Sequence, residues 1–446
     1  MKTVLILEDN NDRIAAFRRV VVVLGSDFEL KIWRDAYSMC TECEASFPSA
    51  ALISLDHDLN PQPGETADPG TGVDVARFLG DFLPVCPVLI HSSNIDRVWS
   101  MHNELRFAGW MVDQVGPLGT DWIETSWLRR VIELLAEHPN TWKAELPDDH
   151  ATRVERMRLS LDGLGLGDAL GEMLSYQAQG APRRLAQSDL PAGPWFHTDD
   201  TEMAISICAV LKSHGFIHQD ALAKRFARRF ERDPDRGYGK MTRIQMREII
   251  AGAKWRDTAA NAFSGQGSMG NGGAMRVAPL GAYFADDLER CVEEARASSV
   301  VTHTHPEGVA GTIAVAVAAA MAWRLKGVPK PERAARFFDE ILRLTPESQV
   351  RRKILSAQGT PASTPVGIVA RELGCGELVT APDTVPFCVW LAAHHLDNFV
   401  EALAQTISVG GDCDTNAAIV GGIAILSAGR ERFPPDWLRA REQVQI

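Results

Sequence analysis

The sequence predicts two domains of different class: an N-terminal α/β domain with a doubly wound parallel sheet, followed by an all-α domain. Three observations support this prediction. The 446 residues exceed the length of one ordinary domain. Residues 1–137 alternate short apolar runs with amphipathic stretches, which is the rhythm of β-α-β units. Residues 153–435 form long Ala-rich segments of helical periodicity between Gly or Pro breaks.

The strands of the first domain are predicted from apolar runs at residues 3–7, 28–33, 51–55, 85–90 and 111–115. Amphipathic segments predict its helices at residues 12–24, 37–47, 73–82, 95–108 and 122–135. In a sheet of this kind, functional side chains gather beyond the carboxyl ends of the strands.

Polar side chains follow three of these strands directly: Glu8, Asp9, Asp56, His57, Asp58, His91 and Ser92. Carboxylates at one edge of a sheet repel one another unless a cation balances them. We therefore expect a metal or phosphate site at this edge. The alternative is a set of solvated loop residues.

Residues 138–152 are polar, contain two prolines and show no sustained period, so they predict the linker between the domains. Helices of the second domain are predicted at residues 168–178, 201–214, 219–231, 243–253, 288–297, 306–324, 331–342, 385–396, 398–408 and 416–426, before a C-terminal tail at 436–446. The most apolar run, 311–323, is too short to cross a bilayer and is expected to lie in a core helix.

Two acidic clusters precede predicted helices of the second domain. The first is Thr198-Asp199-Asp200, and the second contains Asp412, Asp414 and Thr415. Either cluster alone has the composition of a helix N-cap. Together they supply carboxylates whose charge, in one interior, requires cations, so we expect a centre with two metal ions. All-oxygen ligation favours Mg²⁺ or Mn²⁺ over zinc.

A glycine-dense segment at residues 264–276 is expected to serve the same centre. Successive Gly backbone N–H groups can form an anion cradle, to which Ser268, Asn271 and Arg276 would add donors. A flexible turn is the alternative for such a segment, but beside a metal centre it predicts a diphosphate site. Of His303 and His305, we expect one to be structural and one to contact substrate, with metal ligation as the alternative.

The overall composition limits the partners. The net charge of −12 at pH 7 argues against stable nucleic-acid binding, because such proteins usually carry a basic face. No targeting pattern precedes the first predicted strand, and no segment predicts a membrane partner. The eight cysteines are scattered without a disulfide framework. These features predict a cytoplasmic protein.

The first domain resembles the response-regulator receiver fold, in which an acidic pair after strand one and an Asp after strand three hold a metal and accept a phosphoryl group. The residues that match this pattern and its switch hydroxyl are Glu8, Asp9, Asp56 and Ser92. The Lys that receivers carry after strand five is missing. With His57 and His91 as added acid–base groups, the domain looks like receiver-derived domains proposed to process cyclic phosphates. The resemblance implies one divalent metal ion and a phosphate ligand.

Five motifs of the second domain resemble the ADP-ribosylglycohydrolase family, which includes the dinitrogenase-reductase-activating glycohydrolases. In chain order they lie at residues 163–171 (GLGLGDALG), 198–201 (TDDT), 270–276 (GNGGAMR), 304–306 (THP) and 411–416 (GDCDTN). One departure concerns Ser175, because family members often carry a Glu at this position, close to the metal ions.

The resemblance implies an all-α fold with two Mg²⁺ or Mn²⁺ ions. The implied metal ligands are Thr198, Asp199, Asp200, Asp412, Asp414 and Thr415. The implied contacts with the diphosphate and the rest of ADP-ribose come from Gly267, Ser268, Met269, Gly270, Asn271, Gly272 and His305.

We therefore expect a metal-dependent hydrolase that cleaves the glycosidic bond of an ADP-ribosylated protein, nucleic acid or small molecule. A carboxylate among Asp199, Asp200 and Asp414 would accept the proton of the attacking water. The first domain would act on or sense a cyclic or terminal phosphate. Two alternatives stay open: a first domain that only regulates by binding a phosphorylated ligand, or a chain that binds ADP-ribose without catalysis.

Overall fold

The computed structural model describes residues 1–62, 64, 66–82, 84–137 and 146–446, with only the backbone described at residues 107 and 331. The chain divides into two compact units, Met1–Glu145 and Leu146–Ile446. Residues 138–145 of the predicted linker lie outside the described residues. The first helix of the second unit begins at His150, within the rest of that predicted linker.

Within the described residues, the first unit contains a five-stranded parallel sheet of order β2-β1-β3-β4-β5. Its elements are β1 Lys2–Leu7, α1 Asn11–Val21, β2 Phe28–Trp33, α2 Ala36–Glu42, β3 Ala50–Leu55, α3 Gly72–Leu79, β4 Val88–Ile90, α4 Ile95–Phe107, β5 Val112–Gln114 and α5 Leu128–Glu137. Leu5 and Leu7 of β1 enter one apolar cluster, whereas Val4 and Ile6 enter another. Strand β1, which lies between β2 and β3 in the sheet, is therefore buried on both faces, as strands of parallel sheets generally are.

The predicted fold class is wrong in making the first domain receiver-like. The observed strand order is shared by proteins with unrelated sites and functions, so it does not identify a receiver. After β5, where a receiver carries its Lys, the chain continues through Gly116 and Pro117. The corrected description is a parallel sheet in the first unit and a helical second unit.

Within the described residues, the second unit consists of helices, loops and two isolated β-bridges. Its helices are α6 His150–Leu174, α7 Ala181–Ala186, α8 Asp199–His214, α9 Gln219–Arg232, α10 Lys240–Ile250, α11 Trp255–Gly265, α12 Gly272–Met275, α13 Ala278–Tyr283, α14 Leu288–Ser299, α15 Pro306–Arg324, α16 Lys330–Leu344, α17 Gln349–Gln358, α18 Val366–Leu373, α19 Ala381–His395, α20 Phe399–Ser408, α21 Cys413–Ala428 and α22 Trp437–Ala440. By length and composition α15 could span a bilayer, but residues 308–322 are buried in the core of this unit.

Helix α6 is longer than the predicted helix, which begins only at residue 168. Gly163, Gly167 and Gly171 lie four residues apart on one face of α6, against the backbone of α21. A Cβ at Gly167 would overlap the Ala417 carbonyl group, so a larger residue would push the helices apart. These glycines therefore permit a close helix contact, which brings the end of α6 beside the start of α21.

Candidate active site

The first acidic cluster opens α8, where Thr198 is the N-cap residue. Its backbone is extended, and its hydroxyl accepts a hydrogen bond from the Asp200 backbone N–H at 3.4 Å. Asp199 and Asp200 occupy the first turn, and Asp200 is only 1% exposed. Among the described residues, no group donates a hydrogen bond to Asp200 Oδ2. A bound cation would satisfy such a buried carboxylate oxygen.

Asp168 of α6, which was not among the predicted site residues, holds this turn in place. Its fully buried carboxylate accepts bonds from the Thr198 N–H at 3.0 and 3.1 Å and from the Thr201 N–H at 3.1 Å. It also accepts the Thr201 hydroxyl at 2.5 Å. The sequence did contain a signal, because an Asp inside an otherwise apolar glycine-rich motif must find donors when it is buried.

The second cluster opens α21 after a tight turn. Gly410 and Gly411 have φ values of 78° and 75°, in the left-handed region that favours glycine. The turn lets the Asp412 N–H donate to the Cys375 carbonyl at 3.1 Å. The Asp412 carboxylate does not cap the helix, and instead accepts a bond from Asn271 Nδ2 at 2.6 Å.

One cavity of about 530 Å³ is lined by both clusters and by the glycine-dense segment. Five of the predicted metal ligands line it: Asp199, Asp200, Asp412, Asp414 and Thr415. The sixth predicted ligand, Thr198, is the N-cap residue directly before Asp199 and is not itself part of the cavity lining. The volume is in the range of pockets that enclose a nucleotide-sized ligand.

Burial and mutual repulsion raise the pKa values of these carboxyl groups. The pKa values of Asp199 and Asp200 lie well above the ordinary value, first because of burial and then because of neighbouring carboxylates. Burial, followed by the charge of Asp414, raises the pKa of Asp412 to about 7 and that of Asp168 to about 6. Full ionisation near neutral pH therefore requires cations. The all-oxygen donor set and the unpartnered Asp200 oxygen fit Mg²⁺ or Mn²⁺.

The glycine-dense segment contributes Gly267, Ser268, Met269, Gly270, Asn271 and Gly272 to the cavity lining. Gly267 has a φ of 76°, and a Cβ there would overlap the Thr304 hydroxyl, so both backbone and space require glycine. Gly270 forms an isolated bridge with Thr380 and donates its N–H to Ser268 Oγ at 3.2 Å. The segment is thus a backbone-lined wall beside the carboxylates.

Both His residues of the neighbouring loop line this cavity, in different environments. His303 is buried, and its Nδ1 shares a hydrogen bond with the Thr302 hydroxyl at 2.8 Å. Burial, with a smaller effect of Arg276, lowers the pKa of His303 to about 3, so this ring is neutral. His305 is the N-cap of α15, and its Nδ1 accepts the Glu307 N–H at 3.1 Å.

Arg276 does not line the cavity, contrary to the prediction. It is fully buried and donates to the Ser298 carbonyl at 3.2 Å and to the Thr302 hydroxyl at 2.8 Å. Its guanidinium also lies over the Phe226 ring, 4.5 Å from the centroid. Arg276 therefore stabilises the helices behind the glycine-dense segment.

Two apolar residues of the cavity rim, Phe263 and Val379, are not among the residues predicted from the sequence. The two residues are 53% and 56% exposed, and their φ values are 51° and 54°. Such a backbone conformation is strained for a β-branched or aromatic residue, and strain of this kind concentrates at ligand sites. Phe263 and Val379 thus give a cavity that is lined by carboxylates an apolar surface at its rim.

Ser175, where the family pattern often has a Glu, follows α6 and donates its hydroxyl to the Glu172 carbonyl at 2.9 Å. Partial burial, and then the charge of Asp414, raise the pKa of Glu172. Glu172 therefore lies in the electrostatic field of the second cluster without lining the cavity.

In the first unit, the structure brings Glu8, Asp56 and His91 together at the ends of β1, β3 and β4. Their ligand atoms lie within 4.8 Å of one another, and all three residues are buried. Arg13 of α1, which was not predicted from the sequence, donates from Nη1 to Asp56 Oδ2 at 3.1 Å and to Glu8 Oε2 at 3.5 Å. Burial is the main reason that the pKa of Asp56 is raised.

The other predicted residues of the first unit do not join this group. Asp9 Oδ2 accepts bonds from Asn60 at 2.9 and 3.1 Å, and Asp58 is exposed. Ser92 Oγ accepts a backbone bond within its own loop at 3.2 Å. His57 is buried, with its Nε2 3.7 Å from Asp58 Oδ1.

Comparison with known proteins concerns the second unit. A family model described as ADP-ribosylglycohydrolase matches residues 149–446. ADP-ribosylhydrolase ARH3 of Xenopus tropicalis is 30% identical over 334 residues, which cover 66% of this chain and 92% of the relative. ADP-ribosylhydrolase ARH3 of Mus musculus is 29% identical, and the match covers 66% of this chain and 89% of the relative. ADP-ribosylarginine hydrolase Tri1 of Serratia proteamaculans is 23% identical, and the match covers 67% of this chain and 78% of the relative. A solved structure named "ADP-ribosylglycohydrolase-related protein complex" is 26% identical, with a TM-score of 0.48, over 65% of this chain and 93% of its own.

The matched residues, 149–446, lie within the second unit, so the family match concerns that unit and not the first. The named relatives are hydrolases that act on ADP-ribosyl bonds. Because the family model covers more than half of the sequence, the chain belongs to the ADP-ribosylglycohydrolase family and is a hydrolase.

Proposed function

We propose that the second unit is a Mg²⁺- or Mn²⁺-dependent hydrolase that cleaves the glycosidic bond between ADP-ribose and an acceptor. One observation carries the proposal: the carboxylates of both clusters and the glycine-dense segment line the same cavity. Cations balance the carboxylates, and backbone donors suit a diphosphate. A ligand that combines sugar hydroxyls with a diphosphate would use both the cations at the carboxylates and the backbone donors of the glycine-dense segment.

Thr198, Asp199, Asp200, Asp412, Asp414 and Thr415 are the residues that would hold two metal ions. Bound there, the ions would orient the 2″ and 3″ hydroxyls of the distal ribose and acidify a water molecule. The protein positions these ligands through fixed contacts. Asp168 holds the backbone of Thr198, and Asn271 holds the Asp412 carboxylate.

The remaining lining residues bind the rest of the substrate. The backbone of residues 267–272 faces the diphosphate, and His305 contacts the ADP-ribose moiety. The exposed ring of Phe263 offers a flat apolar face on which a base can stack. Held at these points, the distal ribose lies beside the carboxylates.

Hydrolysis breaks the bond between C1″ and the acceptor atom and forms a bond from C1″ to the water oxygen. One carboxylate among Asp199, Asp200 and Asp414 accepts the water proton and later releases it to solvent, and the departing acceptor atom takes one proton from solvent, so that the net reaction consumes one water. The transition state is oxocarbenium-like, so negative charge close to C1″ stabilises it. The acceptor is an ADP-ribosylated protein, nucleic acid or small molecule.

The proposal is tested by incubating the full-length protein and Mg²⁺ with ADP-ribose conjugates of arginine, serine, a nucleobase and a phosphate. We expect mass spectrometry to detect metal-dependent release of ADP-ribose from at least one conjugate. Asp414→Ala should abolish release, whereas Asp339→Ala, an exposed carboxylate on α16, should retain it. Wild-type rates in Asp414→Ala would refute the metal assignment. Binding without release from any conjugate would favour an ADP-ribose-binding module.

For the first unit, we propose a role that acts on or senses a cyclic or terminal phosphate. The support is Arg13, a one-third exposed cation beside the buried Glu8, Asp56 and His91, because a guanidinium binds phosphate well. A non-catalytic regulatory role is the second candidate. If Asp56→Ala and His91→Ala leave turnover intact but alter its control by a phosphorylated ligand, the unit regulates. If they abolish turnover of a phosphate-bearing conjugate, it acts on the phosphate.

A further inference from the structure

We propose that Glu8, Asp56 and His91 form a binding site for one transition-metal ion in the first unit, of the class Mn²⁺, Fe²⁺ or Zn²⁺. The three residues follow neighbouring strands β1, β3 and β4. Their backbone N–H groups continue the strand hydrogen bonds, to the carbonyls of Trp33, Leu7 and Leu55 at 3.0, 3.1 and 2.9 Å. The ligand atoms, within 4.8 Å of one another, are thus held by rigid backbone.

The orientation of His91 is the observation that points to a metal. Its Nδ1 lies 2.8 Å from Ser54 Oγ, which accepts the Trp127 indole N–H at 2.9 Å and donates to the Leu89 carbonyl at 3.2 Å. Ser54 has one hydroxyl proton for two acceptors, the Leu89 carbonyl and His91 Nδ1; when Leu89 takes it, the second lone pair of Ser54 Oγ accepts the His91 Nδ1–H.

In this tautomer, which is the one that a metal ion requires, His91 Nε2 carries a bare lone pair. The atom is fully buried, has no hydrogen-bond partner among the described residues and lies 3.4 Å from Glu8 Oε2. Two acceptor atoms that face each other in a buried site repel, unless a cation lies between them. Metal-ligating His residues are fixed through the other ring nitrogen in this way.

Arg13 is the competing occupant of the site. A single guanidinium nitrogen, Nη1, serves both carboxylates, so one positive charge balances two negative ones. The Arg13 side chain is 33% exposed, whereas those of Glu8 and Asp56 are 0% and 6% exposed. The arginine therefore approaches from the solvent side and can be displaced outward. It makes no hydrogen bond to His91 Nε2, which a metal ion would use.

The donor set decides the class of ion. One imidazole nitrogen with two carboxylate oxygens suits Mn²⁺, Fe²⁺ or Zn²⁺ better than Mg²⁺, which prefers oxygen ligands alone. Three protein ligands also leave coordination positions open for water or an anionic ligand.

Pulsed electron paramagnetic resonance of the full-length protein tests the proposal. The protein is loaded with one equivalent of Mn²⁺ in excess Mg²⁺, which fills sites that have only oxygen ligands. We expect ¹⁴N modulation from an imidazole ligand, lost in His91→Gln. The matched variants His57→Gln and Asp9→Asn alter neighbouring residues outside the group and should retain it. Absence of ¹⁴N modulation in the wild-type protein, or its persistence in His91→Gln, would overturn the proposal.

Arg13→Ala provides a second variant that removes no ligand. Because a charge-assisted hydrogen bond no longer competes for the carboxylates, we expect Mn²⁺ to bind roughly tenfold more tightly. If the group were only a structural ion pair, this variant would show no Mn²⁺ with ¹⁴N modulation and would unfold at a lower temperature. Weaker or absent Mn²⁺ binding in Arg13→Ala would therefore also overturn the proposal.

Discussion

Replacing Asp168 by Asn tests whether this buried carboxylate positions the candidate metal site. The substitution keeps the side-chain shape and retains one oxygen for the Thr201 N–H and hydroxyl. It removes one negative charge and turns the second oxygen into a donor, which then faces the Thr198 N–H. The start of α8, which carries Asp199 and Asp200, loses part of its anchor.

Two magnitudes follow from these contacts. The Thr198 N–H loses one of its two acceptors and keeps the other, which should lower the free energy of unfolding by about 1 kcal/mol. Removal of a charge that burial disfavours offsets part of this loss, since the pKa of Asp168 is raised to about 6. For metal binding, residues that orient metal ligands typically affect affinity by about 10- to 100-fold. We therefore expect weak metal binding in a protein of nearly unchanged stability.

The assay combines calorimetric titration with Mn²⁺, thermal unfolding, and ADP-ribose release as a function of metal concentration. The metal concentration for half-maximal rate should rise by about 10- to 100-fold, while the rate at saturating metal recovers. Asp162→Asn is the matched control on α6, because that carboxylate bonds Arg441 at 2.6 Å and Arg430 at 3.0 Å and does not line the cavity. Wild-type metal affinity in Asp168→Asn would refute the positioning role.

Three further outcomes are expected. In thermal unfolding, the metal-free protein should lose stability as pH rises from about 4 to about 7, because the folded state, with the pKa of Asp412 raised from 3.8 to about 7, holds a proton that the unfolded state releases. Saturating Mg²⁺ should remove this loss, and a pH-independent melting temperature without metal would contradict the argument. Gly167→Ala should lower the unfolding free energy by about 1–3 kcal/mol through overpacking against Ala417, whereas Gly180→Ala, which meets open space, should change it little. Arg276→Met should lower the free energy of unfolding by about 1–3 kcal/mol and leave KM unchanged. A raised KM would show that Arg276 takes part in substrate binding and would contradict its structural role.

Secondary structure was predictable where the determinants are local. The predicted helix at 306–324 coincides with α15, because a proline at the first turn and an uninterrupted apolar run define it within its own sequence. Helix α6 was underestimated, because Gly163 and Gly167 usually interrupt helices and only the contact with α21 shows why they are tolerated. The receiver-like assignment failed for a related reason: polar residues after strands are common to many parallel sheets.

The sequence by itself determined which residues are chemically able to form a site. The acidic clusters at 198–200 and 412–415 lie where helices begin, and their charge requires compensation wherever they meet. The family motifs determined the reaction class, since the match covers residues 149–446.

Only the tertiary structure decided which of these residues act together. It placed both clusters in one cavity, gave Asp168 its donors, buried Arg276 away from the cavity, and grouped Glu8 with Asp56 and His91. The physical reason is that capping and periodicity depend on residues within a few positions of one another. The partners of a buried charge come from distant parts of the chain, and long-range packing selects them.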